Sequence, residues 1–192
     1  MSSLTRVVLS QLTPPAQRGN VLARERLDDA LKQSLHYPLS IVCAGTGYGK
    51  TTSILGFVSK LDIPVFWYSI SPAERDPKLF LANFFTAFNR GEYKFGQTAL
   101  RLLLDSDAEG REAIIALVNA LSEGLESKAL LVLDDFQSVE ESDEIMKLID
   151  WFINHLPANL HVLIASRIPL SFPSMSRWQA QGSLFEIGRD TL

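Results

Sequence analysis

The chain has 192 residues, of which 46% are apolar and 21% charged, a composition typical of one ordinary globular domain. Its formal net charge of −4 argues against a nucleic-acid-binding face on this segment, because such faces carry clustered lysine and arginine. A single cysteine, Cys43, no signal sequence and no apolar run of the roughly 18 residues that cross a bilayer predict a cytoplasmic protein without a membrane partner.

Helices and strands are predicted to alternate along the chain. Residues 1–20 are expected to be an extended lead-in, because Thr13-Pro14-Pro15 disfavours a helix, and residues 21–192 are expected to form the domain. In chain order, the predicted elements are a helix opening at 21–27, a strand at 39–43, a helix to about residue 60, a strand at 64–70, a helix after residue 76, a helix at 97–104, a loop at 105–110, a helix around 114–121, a strand at 129–133, a helix at 145–153 and strands at 160–165 and 183–187.

Local residue patterns support these elements. Asp76-Pro77 is typical of a helix N-cap followed by proline at the first helical position, which gives Asp76 a structural role. The apolar run at 129–133 is typical of a strand that helices cover on both faces. The alternation therefore predicts a three-layer α/β fold with a mainly parallel, five-stranded sheet.

Residues 44–52 read A-G-T-G-Y-G-K-T-T between a predicted strand and a predicted helix. Three glycines let the backbone turn tightly, so that successive N–H groups face an anion. Lys50 adds a positive charge, and Thr51 places a hydroxyl where Mg²⁺ would sit beside the phosphates. Ala44 replaces the first glycine of the common phosphate-loop pattern, so a chance glycine-rich turn is the alternative. The predicted nucleotide contacts are Gly45, Thr46, Gly47, Tyr48, Gly49, Lys50, Thr51 and Thr52.

Polar residues also follow two later strands, at the sheet edge where ligands gather. Asp134 is predicted to bind Mg²⁺ opposite Thr51, directly or through water, and Asp135 to orient or deprotonate an attacking water. The alternative for both aspartates is a strand-ending turn or a helix cap. Arg167 is positioned to reach a γ-phosphate, and its alternative is a surface ion pair.

Other residues with potential chemistry are assigned to structure. His36, His155 and His161 lack metal-ligand spacing and are predicted to be surface or capping residues. Trp67 and Trp151 are predicted to lie in the core.

Together these residues resemble the NTPase domain of STAND signal-transduction ATPases, in the maltose-regulator-like (MalT-type) branch of large LuxR-type transcription activators. The resemblance is carried by L-T-P-P at 12–15, V-L-A-R-E-R-L at 21–27, the loop at 44–52, F-W-Y-S-I at 66–70, L-V-L-D-D-F at 131–136 and L-I-A-S-R at 163–167. Thr46 and residues 89–128 depart from the family pattern. The resemblance implies that Arg24 helps to hold the base, that Arg167 senses the γ-phosphate, and that the strand order is 5-1-4-3-2.

The resemblance also implies ATP or ADP with Mg²⁺, in a slowly hydrolysing switch whose ATP–Mg form self-associates. DNA would be bound by a domain absent from this chain. Asp134-Asp135, where fast motor ATPases usually have Asp-Glu, favours this interpretation. One alternative is a small P-loop kinase, whose lid arginines would have to be Arg90, Arg101 or Arg111, or another P-loop ATPase that acts on a metabolite. A further alternative is a nucleotide-binding module without turnover.

Overall fold

The computed structural model describes residues 9–15, 25–105, 109–189 and 191. Within these residues, strands and helices alternate as the sequence predicts. The strands are β1 (Leu39–Cys43), β2 (Val65–Ser69), β3 (Ala129–Asp134), β4 (Leu160–Ser166) and β5 (Leu184–Ile187). The α-helices are α1 (Glu25–Ser34), α2 (Lys50–Val58), α3 (Pro77–Ala87), α4 (Gln97–Leu104), α5 (Gly110–Gly124), α6 (Asp143–Asn154) and α7 (Met175–Ala180). Short 3-10 helices lie at Leu9–Leu12, Pro72–Glu74 and Phe136–Ser138.

The five strands form one parallel sheet in the order β2-β3-β4-β1-β5. This order is the predicted 5-1-4-3-2 order, so the α/β class and the topology are confirmed. The register places Cys43 of β1 opposite Ser166 of β4, and Ser69 of β2 opposite Asp134 of β3. Because the strands are parallel, their carboxyl ends share one edge of the sheet, where the chain changes from β1 to the glycine loop.

Two apolar layers of unequal size cover the sheet. The larger layer contains the aromatic face of α3 together with side chains of α4, α5 and α6, and it packs on strand residues such as Phe66 and Leu131. The smaller layer lies between the sheet and α1 and α2, and it packs on the alternate strand residues such as Trp67 and Val132. Side chains of successive strand residues point to opposite faces, so each buried strand supplies both layers.

A buried carboxylate fixes the loop that follows β2. Glu74 is only 3% exposed, and it accepts hydrogen bonds from the Tyr68 hydroxyl at 3.0 Å, the Ser71 N–H at 2.8 Å and the Asn83 side-chain amide at 2.8 Å. Burial raises the pKa of the Glu74 carboxyl above its ordinary value, although the three donors oppose that shift. This network holds the exit of β2 against α3 at the carboxyl edge of the sheet.

Several local predictions are confirmed. The Asp76 carboxylate accepts the Leu79 N–H at 2.9 Å and caps α3, with Pro77 at the first helical position. Residues 97–104 form α4 as predicted, and Trp67 is buried. Across the described residues, every helix is too short or too polar to cross a membrane.

Other predictions need correction. Part of the expected extended lead-in is a 3-10 helix, whose Leu12 is buried in the core and accepts a hydrogen bond from Arg90. His161 was predicted to be a surface or capping residue, but it is buried, and its ring Nδ1 bonds to the Tyr37 carbonyl at 2.9 Å. Trp151 is only partly buried and stacks on His155. The sequence did not predict α7, which buries Trp178.

Candidate functional site

The glycine loop between β1 and α2 forms the base of a cleft at the carboxyl edge of the sheet. Gly47 and Gly49 have φ angles of 86° and 75°, in the left-handed region that disfavours any residue with a Cβ. Gly49 is the N-cap residue of α2 and has no side chain to satisfy the first helical N–H groups. The N-terminus of α2 therefore directs backbone N–H groups and the positive end of the helix dipole to the same space, which suits an anion.

Lys50 lies in the floor of this cleft and is 8% exposed. Its Nζ donates to the carbonyl oxygens of Ala44 and, at 3.0 Å, of Gly45. Burial lowers the pKa of Lys50 below its ordinary value, and the positive charge of Arg167 lowers it further. Burial disfavours the charged form of Lys50, so an anion bound in the cleft would stabilise the ammonium.

Thr51 and Asp134 face each other across the junction of α2 and β3. The Thr51 hydroxyl donates to the Asp134 carboxylate at 3.0 Å, and the Asp135 N–H donates to it at 3.0 Å. Asp134 is 3% exposed, and burial raises the pKa of its carboxyl, with the neighbouring charge of Asp135 adding to the rise. A buried carboxylate beside a hydroxyl is a hard-oxygen donor set, so the residues present fit Mg²⁺.

Asp135 and Arg167 form an ion pair at the mouth of the cleft. Arg167 Nε and Nη2 lie 3.1 Å and 3.0 Å from Asp135 Oδ1. Asp135 has a φ angle of 55°, in the left-handed region that aspartate tolerates better than most residues. A surface ion pair was the alternative prediction for Arg167. The structure shows this ion pair, and it also places Arg167 in the lining of the cleft beside the glycine loop.

Gln137 joins the two members of this ion pair and was not predicted from the sequence. Its side-chain amide donates to Asp135 Oδ1 at 2.9 Å, and its carbonyl oxygen accepts the backbone N–H of Arg167 at 3.0 Å. A glutamine two positions after an aspartate pair gives no sequence signal for this role. Only the juxtaposition of the β3 and β4 ends brings the three residues together.

The cleft has a volume of about 340 Å³ and combines most of the predicted site residues. Its lining consists of Thr46, Gly47, Gly49, Lys50, Thr51, Thr52, Asp135 and Arg167. Gly45 and Tyr48 belong to the same loop without lining the cleft, and Asp134 lies behind Thr51. Arg24, the predicted contact to the base, lies outside the described residues.

Comparisons with known proteins agree with this geometry. The sequence profile of a family described as an AAA domain matches residues 33–167. The chain belongs to this AAA domain family. The chain is 30% identical over 186 residues to the HTH-type transcriptional regulator MalT of Vibrio campbellii, and the match covers 95% of this chain and 20% of that protein. MalT of Serratia proteamaculans is 25% identical, covering 97% of this chain and 20% of that protein. The chain thus spans about a fifth of the length of these curated relatives.

Solved structures resemble the AAA domain in fold. The Walker-type ATPase paby2304 of Pyrococcus abyssi has a TM-score of 0.53 at 18% identity, covering 82% of this chain and 49% of that one. The Aeropyrum pernix Orc1 protein in complex with DNA has a TM-score of 0.53 at 17% identity, covering 88% of this chain and 46% of that one. The chain therefore shares the fold of these two proteins.

Proposed function

We propose that this AAA domain is an ATP-binding, slowly hydrolysing switch within a transcriptional regulator. The observation that carries the proposal is the meeting, in one cleft, of the glycine loop and the Asp135–Arg167 pair, with the Thr51–Asp134 pair directly behind. The similarity to proteins named as HTH-type transcriptional regulators supports the regulatory setting. DNA contact is assigned to another part of such a regulator, because this segment has a net charge of −4.

Each residue of the cleft receives a role from its position. The N–H groups of the loop and the ammonium of Lys50 bind the phosphates. The Thr51 hydroxyl and the Asp134 carboxylate hold Mg²⁺, which neutralises phosphate charge when it is bound. Asp135 orients a water and accepts its proton, and Arg167 binds the γ-phosphate. Arg24 is assigned to the base from the family resemblance.

The Asp135–Arg167 pair provides the switching element. The two residues are paired in the structure, and a γ-phosphate in the cleft would compete with Asp135 for the same guanidinium. Binding of ATP therefore draws Arg167 inward and releases the carboxylate of Asp135. ADP lacks the γ-phosphate, so the two nucleotides stabilise different positions of the turn after β4, and self-association in the ATP form would respond to that difference.

The contacts of the three candidate lid arginines do not favour the kinase alternative. Arg90 donates to the carbonyl of Leu12, and Arg111 lies over the ring of Trp151. Arg101 lies on α4 beside a separate surface pocket. None of the three belongs to the lining of the cleft among the described residues.

Nucleotide binding and single-turnover hydrolysis by the purified chain test the proposal. We expect Mg²⁺-dependent ATP binding, slow turnover, and loss of turnover in Asp135→Asn, an isosteric change that keeps the left-handed backbone accessible. The control is Asp29→Asn, which removes only an exposed pair with Lys32 at 3.0 Å. Rapid multiple turnover without a partner would refute the switch, and unchanged hydrolysis in Asp135→Asn would refute the role of that residue. Self-association is tested by light scattering with ATP and ADP.

A further inference from the structure

Ser69 ends β2 beside the carboxylate that is proposed to hold Mg²⁺. Its register partner on β3 is Asp134, and neighbouring strands lie about 4.8 Å apart. Trp67 and Val132 belong to the apolar layer next to α2. Since alternate strand residues share a face, Ser69 and Asp134 also point to that side of the sheet. The Ser69 hydroxyl and the Asp134 carboxylate are therefore lateral neighbours at the carboxyl edge.

One lone pair of the Ser69 hydroxyl is already used by a buried tryptophan. Trp67 is 1% exposed, and its indole N–H donates to Ser69 Oγ at 2.7 Å. A buried indole N–H requires such an acceptor, so this bond fixes the orientation of the serine. Ser69 itself is only partly buried, so its second lone pair and its proton remain within reach of water.

The nearby Ser138 shows a different arrangement. Its hydroxyl donates to the carbonyl of Ile70 at 3.3 Å and thereby ties the end of β3 to the exit of β2. Among the described residues, no acceptor receives the hydroxyl proton of Ser69. The two serines at this edge thus differ, because the Ser138 hydroxyl donates to a backbone carbonyl whereas the Ser69 hydroxyl accepts from an indole.

We infer that Ser69 is an outer-sphere ligand of the Mg²⁺–nucleotide complex, held in place by the indole of Trp67. The inference rests on the proposed function. Mg²⁺ retains several of its waters in protein sites, and each bound water donates two hydrogen bonds. Such a water would donate one hydrogen bond to the Asp134 carboxylate and the other to Ser69 Oγ. Outer-shell groups of this kind typically change metal affinity by about 10–100-fold, and a single neutral hydroxyl belongs at the lower end.

The test measures ATP binding to the full chain by calorimetry at a series of Mg²⁺ concentrations. Ser69→Ala should raise the half-saturating Mg²⁺ concentration by about tenfold and leave ATP affinity in EDTA unchanged. Ser69→Thr keeps the hydroxyl on a strand-compatible residue and should restore the wild-type value. Ser138→Ala is the matched control and should leave the Mg²⁺ dependence unaltered.

A second pair of variants separates metal binding from support of the tryptophan. In a Trp67→Phe background there is no indole N–H to satisfy, so Ser69→Ala leaves no buried donor without a partner. Adding Ser69→Ala in that background should still raise the half-saturating Mg²⁺ concentration, but by less than in the wild-type chain, because the indole no longer orients the serine. No increase in that background overturns metal binding by Ser69, and an increase as large as in the wild-type chain overturns the orienting role of Trp67. If the wild-type chain shows no Mg²⁺-dependent ATP binding, the proposed function fails first. If it does and Ser69→Ala matches it, the inference alone fails.

Discussion

Replacing Arg167 with alanine should affect hydrolysis far more than stability. In the structure Arg167 pairs with Asp135 at 3.0 Å, and the two side chains are 46% and 35% exposed. Solvent screens a pair at this exposure, so its loss should cost about 0.2–1 kcal/mol of the free energy of unfolding. For a chain of this size, that cost corresponds to a fall in Tm of at most about 4 °C.

The expected effect on the chemical step is larger. A donor aimed at charge that develops in the transition state contributes about 10²–10³-fold to the rate when it acts in a cleft. Arg167 occupies such a position, because it lines the same cleft as Lys50 and Thr51. Arg167→Ala should therefore lower single-turnover ATP hydrolysis by about that factor, and it should reduce the preference for ATP over ADP.

The matched control is Arg75→Ala. Arg75 pairs with Glu141 at 3.1 Å, and the two side chains are 62% and 73% exposed, so the control removes a comparable surface ion pair outside the cleft. Both variants are assayed by phosphate release and thermal unfolding. If Arg167→Ala hydrolyses ATP within about twofold of Arg75→Ala, the reasoning from donor placement in the cleft is wrong.

Three further changes test other parts of the structure. Lys50→Ala should abolish ATP binding, because it removes the cation in the floor of the cleft, and unchanged binding by calorimetry would contradict this. Asp76→Ala should lower the free energy of unfolding by about 1 kcal/mol through loss of the α3 cap, as measured in urea, with ATP affinity preserved; a change near zero would count against the cap. Glu74→Gln should lower the free energy of unfolding by about 1–3 kcal/mol, because the amide nitrogen of glutamine would face one of the three donors that bond to Glu74. Burial raises the pKa of Glu74, so its contribution to stability is full below its ordinary pKa and is lost as pH rises through the raised value. The variant should lack this slope when urea unfolding is measured over a series of rising pH values that starts below the ordinary pKa.

Much of the fold follows from local sequence patterns. The apolar run of β3 and the capped aromatic helix α3 are confirmed because their signals come from neighbouring residues. The strand order rested on the resemblance to a family whose glycine loop and Asp-Asp motif are recognisable. The helix α7 was missed because its six residues, M-S-R-W-Q-A, are too few to show a helical period.

The site was predictable only where chemistry lies in a motif. Lys50, Thr51 and Asp134 stand in such motifs, and the structure brings them together. Gln137 bridges two strand ends that are distant in sequence, so no local pattern could reveal it. His161 was predicted to be a surface or capping residue because it lacks metal-ligand spacing; its burial could not be foreseen, since its partner, the Tyr37 carbonyl, lies in a distant segment. Arg24 stays a prediction.

The unequal size of the two apolar layers affects how readily each side of the sheet opens locally. The helix α2, which bears Lys50 and Thr51, packs in the smaller apolar layer, whereas α3 packs in the larger one. Local opening generally costs less where fewer apolar contacts are broken. Amide protons of α1 and α2 should accordingly exchange sooner than those of α3, and occupancy of the cleft should be registered first as slower exchange in α2.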